Sequence, residues 1–462
     1  MTDSGHQMRD PMAPDTQTET PSLTESLCPV CLAVVDARIT ERSGCVYLEK
    51  TCPEHGSFEV YLWPDADHYR WVEGFFLPKV APEVARARTK ACPTGCGLCS
   101  SHLRHSTLVE IEVTRRCNLR CPVCFVSAGV APADPGMETL FSMFSSALAQ
   151  TGPQTSIQLT GGEPTVREKL AEIVSMGRSI GFEAIEVNTN GVRIAAEPGY
   201  IESLRDAGIS GVYLQFDGIS DDVYETIRGK ALLSTKLVAI ERCRIAGVQV
   251  VLAMAIVYGV NHDQVGAVLD FALANSDVVC GVAFQPACTS GRFEADEITP
   301  INMGDVVFML AEQSHGLIGP YDLWPLSTSH PLCTTGTLLV PKDDTYVPVT
   351  RMLSVEEYLA GYDPASPQGS VFCDLIAKRG VSAEGALSVV VTNYMDVMNF
   401  DLARIRECSM TVAMEDGRLV PFCAYQLTNT CGKRLHPTWG RESGVASAPT
   451  PPTENCERQE CT

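Results

Sequence analysis

The chain has 462 residues, enough for two or three domains, and 45% of it is apolar, so it can bury a large core. Against 56 Asp and Glu, only 35 Lys and Arg leave a formal charge of -21, which excludes nucleic acid or an anionic membrane surface as a main partner. No basic and apolar leader opens the chain and no apolar run is long enough to span a bilayer, so the reading is a cytoplasmic protein with at most transient membrane contact.

Residues 1–25 are polar and rich in Thr, Pro, Asp and Ser, and are expected to form a disordered tail. A compact metal ribbon is expected over 26–75. Its signal is Cys28-Pro-Val-Cys31 followed by Cys52-Pro-Glu-His55, two ligand pairs about twenty residues apart, as a tetrahedral mononuclear zinc or iron site requires. Cys45 is an alternative fourth ligand to His55, and the role is read as a structural staple for a ribbon too small to have its own core. Residues 76–106 carry Cys92, Cys96 and Cys99 in a C-x3-C-x2-C pattern ending near His102, an expected auxiliary-cluster segment.

From 107 to 318 short β-rich runs alternate with amphipathic helical runs, the pattern of parallel βα units. Strands are predicted over 108–113, 156–160, 184–188, 211–216, 250–255 and 279–284. Helices are predicted near 137–150, 166–180, 200–207, 234–246, 262–275 and 302–313. Six such units make a doubly wound sheet or a partial (β/α)6 barrel, with functional loops at the strand C-terminal ends. Residues 319–438 form an extension whose Cys333, Cys408 and Cys423 sit in turn-rich contexts suited to ligands of a second auxiliary cluster, joined by Cys288 at the end of the sixth strand. Cys243 and Cys280 fall on apolar patterns and read as core thiols, while Cys373 and Cys431 have no assigned role. Residues 439–462, with Cys456 and Cys461 as surface thiols, form a second expected disordered tail.

The strongest motif is Cys117-Asn-Leu-Arg-Cys121-Pro-Val-Cys124-Phe125, directly after the first strand. Of the 20 cysteines, these three converge from one tight loop, and three thiolates on a [4Fe-4S] cubane leave one iron open for a ligand. Gly161-Gly162-Glu163-Pro164 follows the second strand, with Gly suited to a turn lying close against a ligand and Glu to an ammonium.

With these residues in phase, the sequence resembles the radical S-adenosylmethionine superfamily, whose fold is a partial (β/α)6 TIM-type barrel. The resemblance implies that Cys117, Cys121 and Cys124 hold the catalytic [4Fe-4S] cluster and that Gly161, Gly162, Glu163 and Pro164 meet the methionyl amino group. It further implies that Asn190, Gln215 and Asp217 meet the ribose, Arg228 the methionyl carboxylate and Phe125 the adenine. The implied reaction is reductive cleavage of S-adenosylmethionine to a 5′-deoxyadenosyl radical that abstracts hydrogen from an unactivated carbon, fed by a ferredoxin- or flavodoxin-type electron donor.

The order of ribbon, Cys92 loop, Cys117 loop and Asp-Gly-Arg-Leu-Val-Pro-Phe-Cys423 is similar to the subfamily containing tetraether lipid synthase and methanopterin-type pterin methylases. The main expectation drawn from it is carbon-carbon bond formation on long apolar lipid chains, lined by the Leu, Val, Phe and Met residues of the extension. The alternative is C-methylation of a pterin.

Overall fold

The computed structural model describes residues 22–82, 91–128, 133–293, 299–326, 329–343, 345–361 and 370–436. The expected C-terminal tail and residues 1–21 of the N-terminal one lie outside the described residues, as do Cys456 and Cys461. Residues 22–25, assigned to the tail from their polar composition, are instead the start of a paired strand.

That strand is β1 (Ser22–Leu27), which opens a four-stranded antiparallel ribbon completed by β2 (Val34–Arg42), β3 (Cys45–Cys52) and β4 (Gly56–Trp63). Period-two alternation puts Ala37, Leu48 and Val60 on one buried face and Arg38, Glu49 and Glu59 on the other. Helix α1 (Ala66–Glu73) follows, its first turn closed by the Asp65 carboxylate accepting from the His68 backbone N–H at 2.7 Å. It lays Tyr69 and Val72 into the main core, so the ribbon is anchored to the larger body at its exit.

The six expected strands are β5 (Leu108–Thr114), β7 (Ser156–Gly161), β8 (Ile185–Thr189), β9 (Gly211–Gln215), β10 (Val250–Ile256) and β11 (Val279–Pro286), with the two-residue β6 (Val123–Cys124) inside the cysteine loop. They pair in parallel, each beside its neighbour in sequence, as right-handed βα crossovers produce. The crossover helices are α2 (Met137–Thr151), α3 (Leu170–Ile180), α4 (Val192–Ala196), α5 (Tyr200–Ala207), α6 (Asp221–Arg228), α7 (Leu233–Ala246), α8 (Val265–Ala274) and, after the sixth strand, α9 (Met303–Gln313). The short α4 and α6 are absent from the sequence reading: α4, at five residues, is too short to show a repeated amphipathic period, whereas α6 spans two turns with Val223, Tyr224 and Ile227 on its buried face. The run expected as one helix over 166–180 is divided: Pro164–Val166 make a 3-10 turn and the α-helix begins at Leu170.

The sheet continues past both edges of these six strands. Strand β12 (Arg292–Phe293) pairs with β6 in a separate two-stranded sheet, and β13 (Trp324–Pro325), β14 (Thr334–Lys342) and β15 (Thr345–Pro348) of the extension join the large sheet beyond β16. Strand β16 (Leu387–Thr392) lies parallel to β11, while β17 (Met410–Ala413), the next strand in sequence, lies parallel to β5 at the opposite edge, followed by β18 (Leu419–Pro421). The order is open and does not close on itself. Residues 393–409 therefore run from one edge of the parallel sheet to the other.

Apolar residues of the extension fill cores rather than line a channel. Leu339, Leu387, Val389 and Val391 join the main core, and Leu338, Val340, Tyr358 and Phe372 form a second one with Phe75 and Trp324. Cys243 is part of the main core, Cys280 is half-buried with its thiol on the Val250 carbonyl, Cys373 packs at the edge of the second core, and Cys431 is disulfide-bonded.

Candidate active site

One cavity opens at the C-terminal ends of the parallel strands and holds about 1290 Å³ of atom-free space, part of it open to solvent. Cys117, Cys121 and Cys124 all line it, together with Gly161, Gly162, Glu163, Asn190, Gln215, Arg228 and Phe125. Pro164 and Asp217 do not. Pro164 is buried as the first residue of the 3-10 turn, where its missing N–H costs nothing.

The glycine pair has a cause other than the close ligand expected from sequence. A Cβ on Gly161, whose φ is +133°, would lie 1.8 Å from the Thr114 carbonyl oxygen, and one on Gly162 would lie 2.2 Å from that of Arg116. The loop after β7 is thus pressed onto the backbone entering the cysteine loop, and the Gly162 and Glu163 N–H groups donate to Thr114 and Arg116 at 2.8 and 2.9 Å. Two motifs distant in sequence become one rigid wall.

Glu163 is buried and already well supplied with donors. Its Oε1 accepts from the Thr165 N–H and from the hydroxyls of Thr165 and Thr189, both at 2.6 Å, and its Oε2 accepts from the Asn190 N–H at 2.7 Å. Oε2 keeps a lone pair for a further donor. Asn190 in turn donates to the Asn118 side chain of the cysteine loop at 2.7 Å.

Asp217 corrects its expected contact with the ribose. It is 0% exposed, and both oxygens accept from the Arg228 guanidinium at 2.7 Å, with the Ala255 N–H and the Gln215 amide as further donors. Its carboxylate is spent on fixing Arg228, which also donates to the Val123 carbonyl at 3.1 Å and stands beside Cys121. Burial raises the Cys121 thiol pKa and the guanidinium opposes that rise; burial pushes Cys117 up to about 12, and the neighbouring Glu163, Cys121 and Cys124 add to it. Three half-buried thiols converging on one point, two of them, Cys117 and Cys121, disfavoured as free thiolates, fit a cationic iron-sulfur core with one ligand position to spare.

Two functional groups escaped the sequence reading. Lys236, buried on α7, donates to the Asn190 carbonyl at 2.6 Å and the Gln215 side chain at 2.9 Å, and burial lowers its pKa to about 7 against the pull of Asp217. Arg292 on β12 donates to the carbonyls of Cys121 and Ala128 at 3.0 and 2.6 Å, clamping the cysteine loop. The neighbouring Gly291 is forced by the same contact, since its Cβ would fall 2.2 Å from the Phe125 carbonyl oxygen. The Phe125 ring packs against Tyr394 and Phe422 of the extension, so one side is committed to the protein.

In the ribbon, Cys28, Cys31, Cys52 and His55 converge: the His55 Nδ1 lies 3.6 Å from the Cys28 sulfur and 3.4 Å from that of Cys52, and the Cys31 and Cys52 sulfurs are 3.9 Å apart. A tetrahedral ion bound at about 2.3 Å by sulfur separates two thiolates by about 3.8 Å, so the donors stand at metal-site spacing. Cys45 is not among them; its thiol donates to the Pro64 carbonyl at 3.3 Å. Lys50 fastens the ribbon to the segment crossing the sheet edges, donating to Leu27, Val397 and Met398 carbonyls at 2.8, 2.9 and 2.6 Å.

Cys92, Cys99 and Cys408 all stand near enough to Cys96 to act on its thiol. Cys96 is buried with its thiol pKa raised by Cys92, by burial and by the charges of Cys99 and Cys408, and Cys408 is pushed up to about 12 by burial and Cys333. Burial, Cys408, Cys333 and Cys288 hold Cys423 well above its ordinary value. His102 is spent differently, its Nε2 donating to the Cys408 carbonyl at 2.8 Å. The Cys333 thiol accepts from Arg404 at 3.5 Å.

The parallel strands alternate in polarity. Val109, Ile111, Ile157, Leu159, Ile185, Val187, Val212 and Leu214 face the helices in the main core. The intervening Glu110, Gln158, Thr160, Asn188, Tyr213, Gln215 and Gln285 line the cavity. The interiors of closed (β/α)8 barrels are ordinarily filled by Val, Ile and Leu, so the polar inner face of this open sheet marks a ligand chamber.

Comparison with known proteins agrees with this geometry. The model of the radical SAM superfamily matches residues 111–272, and that of the HMPTM N-terminal zinc ribbon domain matches residues 20–64. The 7,8-dihydro-6-hydroxymethylpterin dimethyltransferase of Methanocaldococcus jannaschii is 33% identical over 471 residues, covering 87% of this chain and 92% of that one. A probable GTP 3′,8-cyclase of Methanothermobacter marburgensis is 33% identical over 172 residues, 37% of this chain and 55% of its own length. Among solved structures, Streptococcus suis SuiB bound to its precursor peptide SuiA aligns over 46% of each chain with a TM-score of 0.40 and 13% identity. With the convergent thiols, the ribbon donors and this full-length likeness together, the chain belongs to the radical SAM superfamily and, within it, to the family of the 7,8-dihydro-6-hydroxymethylpterin dimethyltransferase.

Proposed function

We propose that the protein is a radical SAM C-methylase acting on a reduced pterin. The observation that carries this reading is the polar inner face of the chamber, where Glu110, Gln158, Asn188, Tyr213 and Gln285 stand below the cysteine loop. A heterocycle edged with donors and acceptors satisfies such groups, whereas an alkyl chain would leave each of them desolvated at about 1–3 kcal/mol. The expectation of lipid coupling gains no support: the full-length relative is named for a pterin, and the apolar residues invoked to line a lipid channel are core.

When bound, the cluster and S-adenosylmethionine supply reductive sulfonium cleavage and hydrogen-atom abstraction. In this reading Cys117, Cys121 and Cys124 hold the cluster, and the free lone pair of Glu163 Oε2 and the wall of Gly161 and Gly162 receive the methionyl amino group. Asp217 acts through Arg228, aiming it at the cluster edge, and Lys236 fixes Asn190 and Gln215 beside the nucleoside. Cys92, Cys96, Cys99 and Cys408 are assigned an auxiliary cluster, with Cys333 and Cys423 adjoining. Zinc in the ribbon is structural. A one-electron reductant of the ferredoxin or flavodoxin type is required, and among the described residues no helix is long and apolar enough to cross a membrane.

The test is anaerobic incubation of reconstituted protein with S-adenosylmethionine, a strong reductant and 7,8-dihydro-6-hydroxymethylpterin. Saturable pterin binding, followed by its fluorescence, and pterin-stimulated 5′-deoxyadenosine are expected. Absence of both, or transfer of deuterium to 5′-deoxyadenosine from a labelled glycerolipid chain, overturns the reading.

A further inference from the structure

The polar chamber contains a buried carboxyl whose hydrogen bonding is incomplete. Glu110, on β5, is 4% exposed and lines the cavity. Its Oε2 accepts a single long bond from the Thr160 hydroxyl at 3.3 Å, and its Oε1 accepts none among the described residues. The other buried glutamate of the strand, Glu112, is differently placed, accepting from the Tyr425 hydroxyl at 2.9 Å and lying 3.6 Å from Arg115. Burial, with repulsion from Glu112, pushes Glu110 up to about 8, so the ligand-free group holds its proton near neutral pH and two N–H donors brought against its oxygens would favour the carboxylate and release that proton to solvent.

Its surroundings are built around it from separate strands. Gln158 and Asn188 are linked at 3.4 Å, and the Gln285 amide donates to the Tyr213 hydroxyl at 2.7 Å, which leaves the Tyr213 proton to be given elsewhere. All four residues sit on elements held by the sheet, so the donors and acceptors are fixed before a ligand arrives.

Resting on the pterin reading above, we propose that Glu110 is the specificity-determining residue of the chamber, its two oxygens accepting from N3–H and the 2-amino group on the pyrimidine edge of the pterin. Those two donors are adjacent and parallel on the heterocycle, which is the geometry a carboxylate accepts in bidentate fashion. Thr160 holds one oxygen in place, while Gln158, Asn188 and Tyr213 supply the complementary groups for the remaining ring heteroatoms. A 2-oxo analogue would turn an oxygen toward the carboxylate and be rejected, because a buried polar group would be left facing a like dipole.

The experiment measures dissociation constants for 7,8-dihydro-6-hydroxymethylpterin and for its 2-oxo (lumazine) analogue, with wild-type holoprotein and with Glu110→Gln, alongside iron content and S-adenosylmethionine affinity. Wild type should prefer the pterin by at least about a hundredfold, with about 10⁴ the scale seen where a site is built to bond a polar group. Glu110→Gln should lose at least tenfold in pterin affinity and bring the preference close to unity, with iron and S-adenosylmethionine binding unchanged. The wild-type arm needs no variant, so a poorly folding Glu110→Gln leaves the comparison of the two ligands decisive. Equal binding of both ligands by wild type, or a full pterin preference retained by Glu110→Gln, overturns the assignment. Failure of wild type to bind either ligand counts against the pterin reading itself.

Discussion

Substitution of Gly162 by alanine isolates the contact between the two motifs that form the wall of the site. The added Cβ would meet the Arg116 carbonyl oxygen at 2.2 Å and that of Arg115 at 2.7 Å. Ordinary contact begins at 3.4 Å, so one of two backbones must yield by about 1.2 Å. Neither side is soft: the moving parts are the end of β7 and the entry to the cysteine loop, joined by the 2.8 and 2.9 Å bonds from Gly162 and Glu163. A shift of that size breaks both bonds and moves Glu163 relative to the three thiols. Misplacement by about 1 Å costs on the order of a hundredfold in a positioned reaction.

The assay is reductive cleavage of S-adenosylmethionine in anaerobic holoprotein, read as 5′-deoxyadenosine released per cluster. Gly162→Ala should lower the rate about a hundredfold while ribbon metal and overall folding persist. Gly162 lies outside the left-handed region that penalises a side chain, so backbone strain cannot account for the loss. A variant that keeps the wild-type rate per cluster refutes the claim that this approach sets the geometry.

His55→Ala should release the ribbon metal, measured by elemental analysis, while Cys45→Ser retains it in full, because the Cys45 thiol is committed to the Pro64 carbonyl. Asp217→Asn strips the counter-charge from a buried guanidinium and should destabilise the site by about 3–5 kcal/mol, seen as weakened S-adenosylmethionine binding in titration and a lowered denaturation midpoint. The raised Glu110 pKa gives a pH signature in ligand-free protein. Its stabilising contribution is complete below the ordinary carboxylate value of 4.5 and is lost as pH rises through about 8, so Glu110→Gln should gain stability relative to wild type across that window. Glu112, Glu186, Tyr213 and Tyr394 face the same region, so the difference between the two proteins is the quantity to measure.

The six central strands were legible to within one or two residues because each is a short run rich in β-branched, aromatic or other apolar residues bounded by turn residues, and the thiol loop because its spacing carries chemistry. The position of the extension was not legible. Strands β16 and β17 are consecutive in sequence, yet they pair with β11 and β5 at opposite edges, and no local pattern reports a pairing across 100 to 300 residues. Arg292 and Lys236 were missed for a similar reason, since an Arg after a glycine and a Lys on a helix that also carries Glu241, Arg242 and Arg244 resemble solvated surface. Asp217 was seen as a polar strand end, but its task depends on Arg228 at the far end of α6. One readable signal was passed over. Val-Glu-Ile-Glu-Val, Ile-Gln-Leu-Thr and Ile-Glu-Val-Asn alternate with period two, although parallel strands covered on both faces are ordinarily apolar throughout.

That alternation also explains why the accessory modules sit where they do. A sheet whose inner face is polar cannot close over an apolar plug, so its open side must be sealed by other means without filling the chamber. The segment 393–409 runs between the two edges, bringing Tyr394 to the chamber and carrying Cys408 to the Cys92 loop. It is held from outside by the ribbon, where Lys50 takes the Val397 and Met398 carbonyls and the Ser26 hydroxyl donates to Phe400. The knuckle between Cys28 and Cys31 is in turn bound through Val30 by Asn429 and through Pro29 by Thr430. A metal that fixes the knuckle therefore fixes the anchor of the strap across the open side. By this chain of contacts the ribbon is tied to the segment that brings Tyr394 to the chamber, so loss of its metal should loosen that segment as well as the ribbon itself.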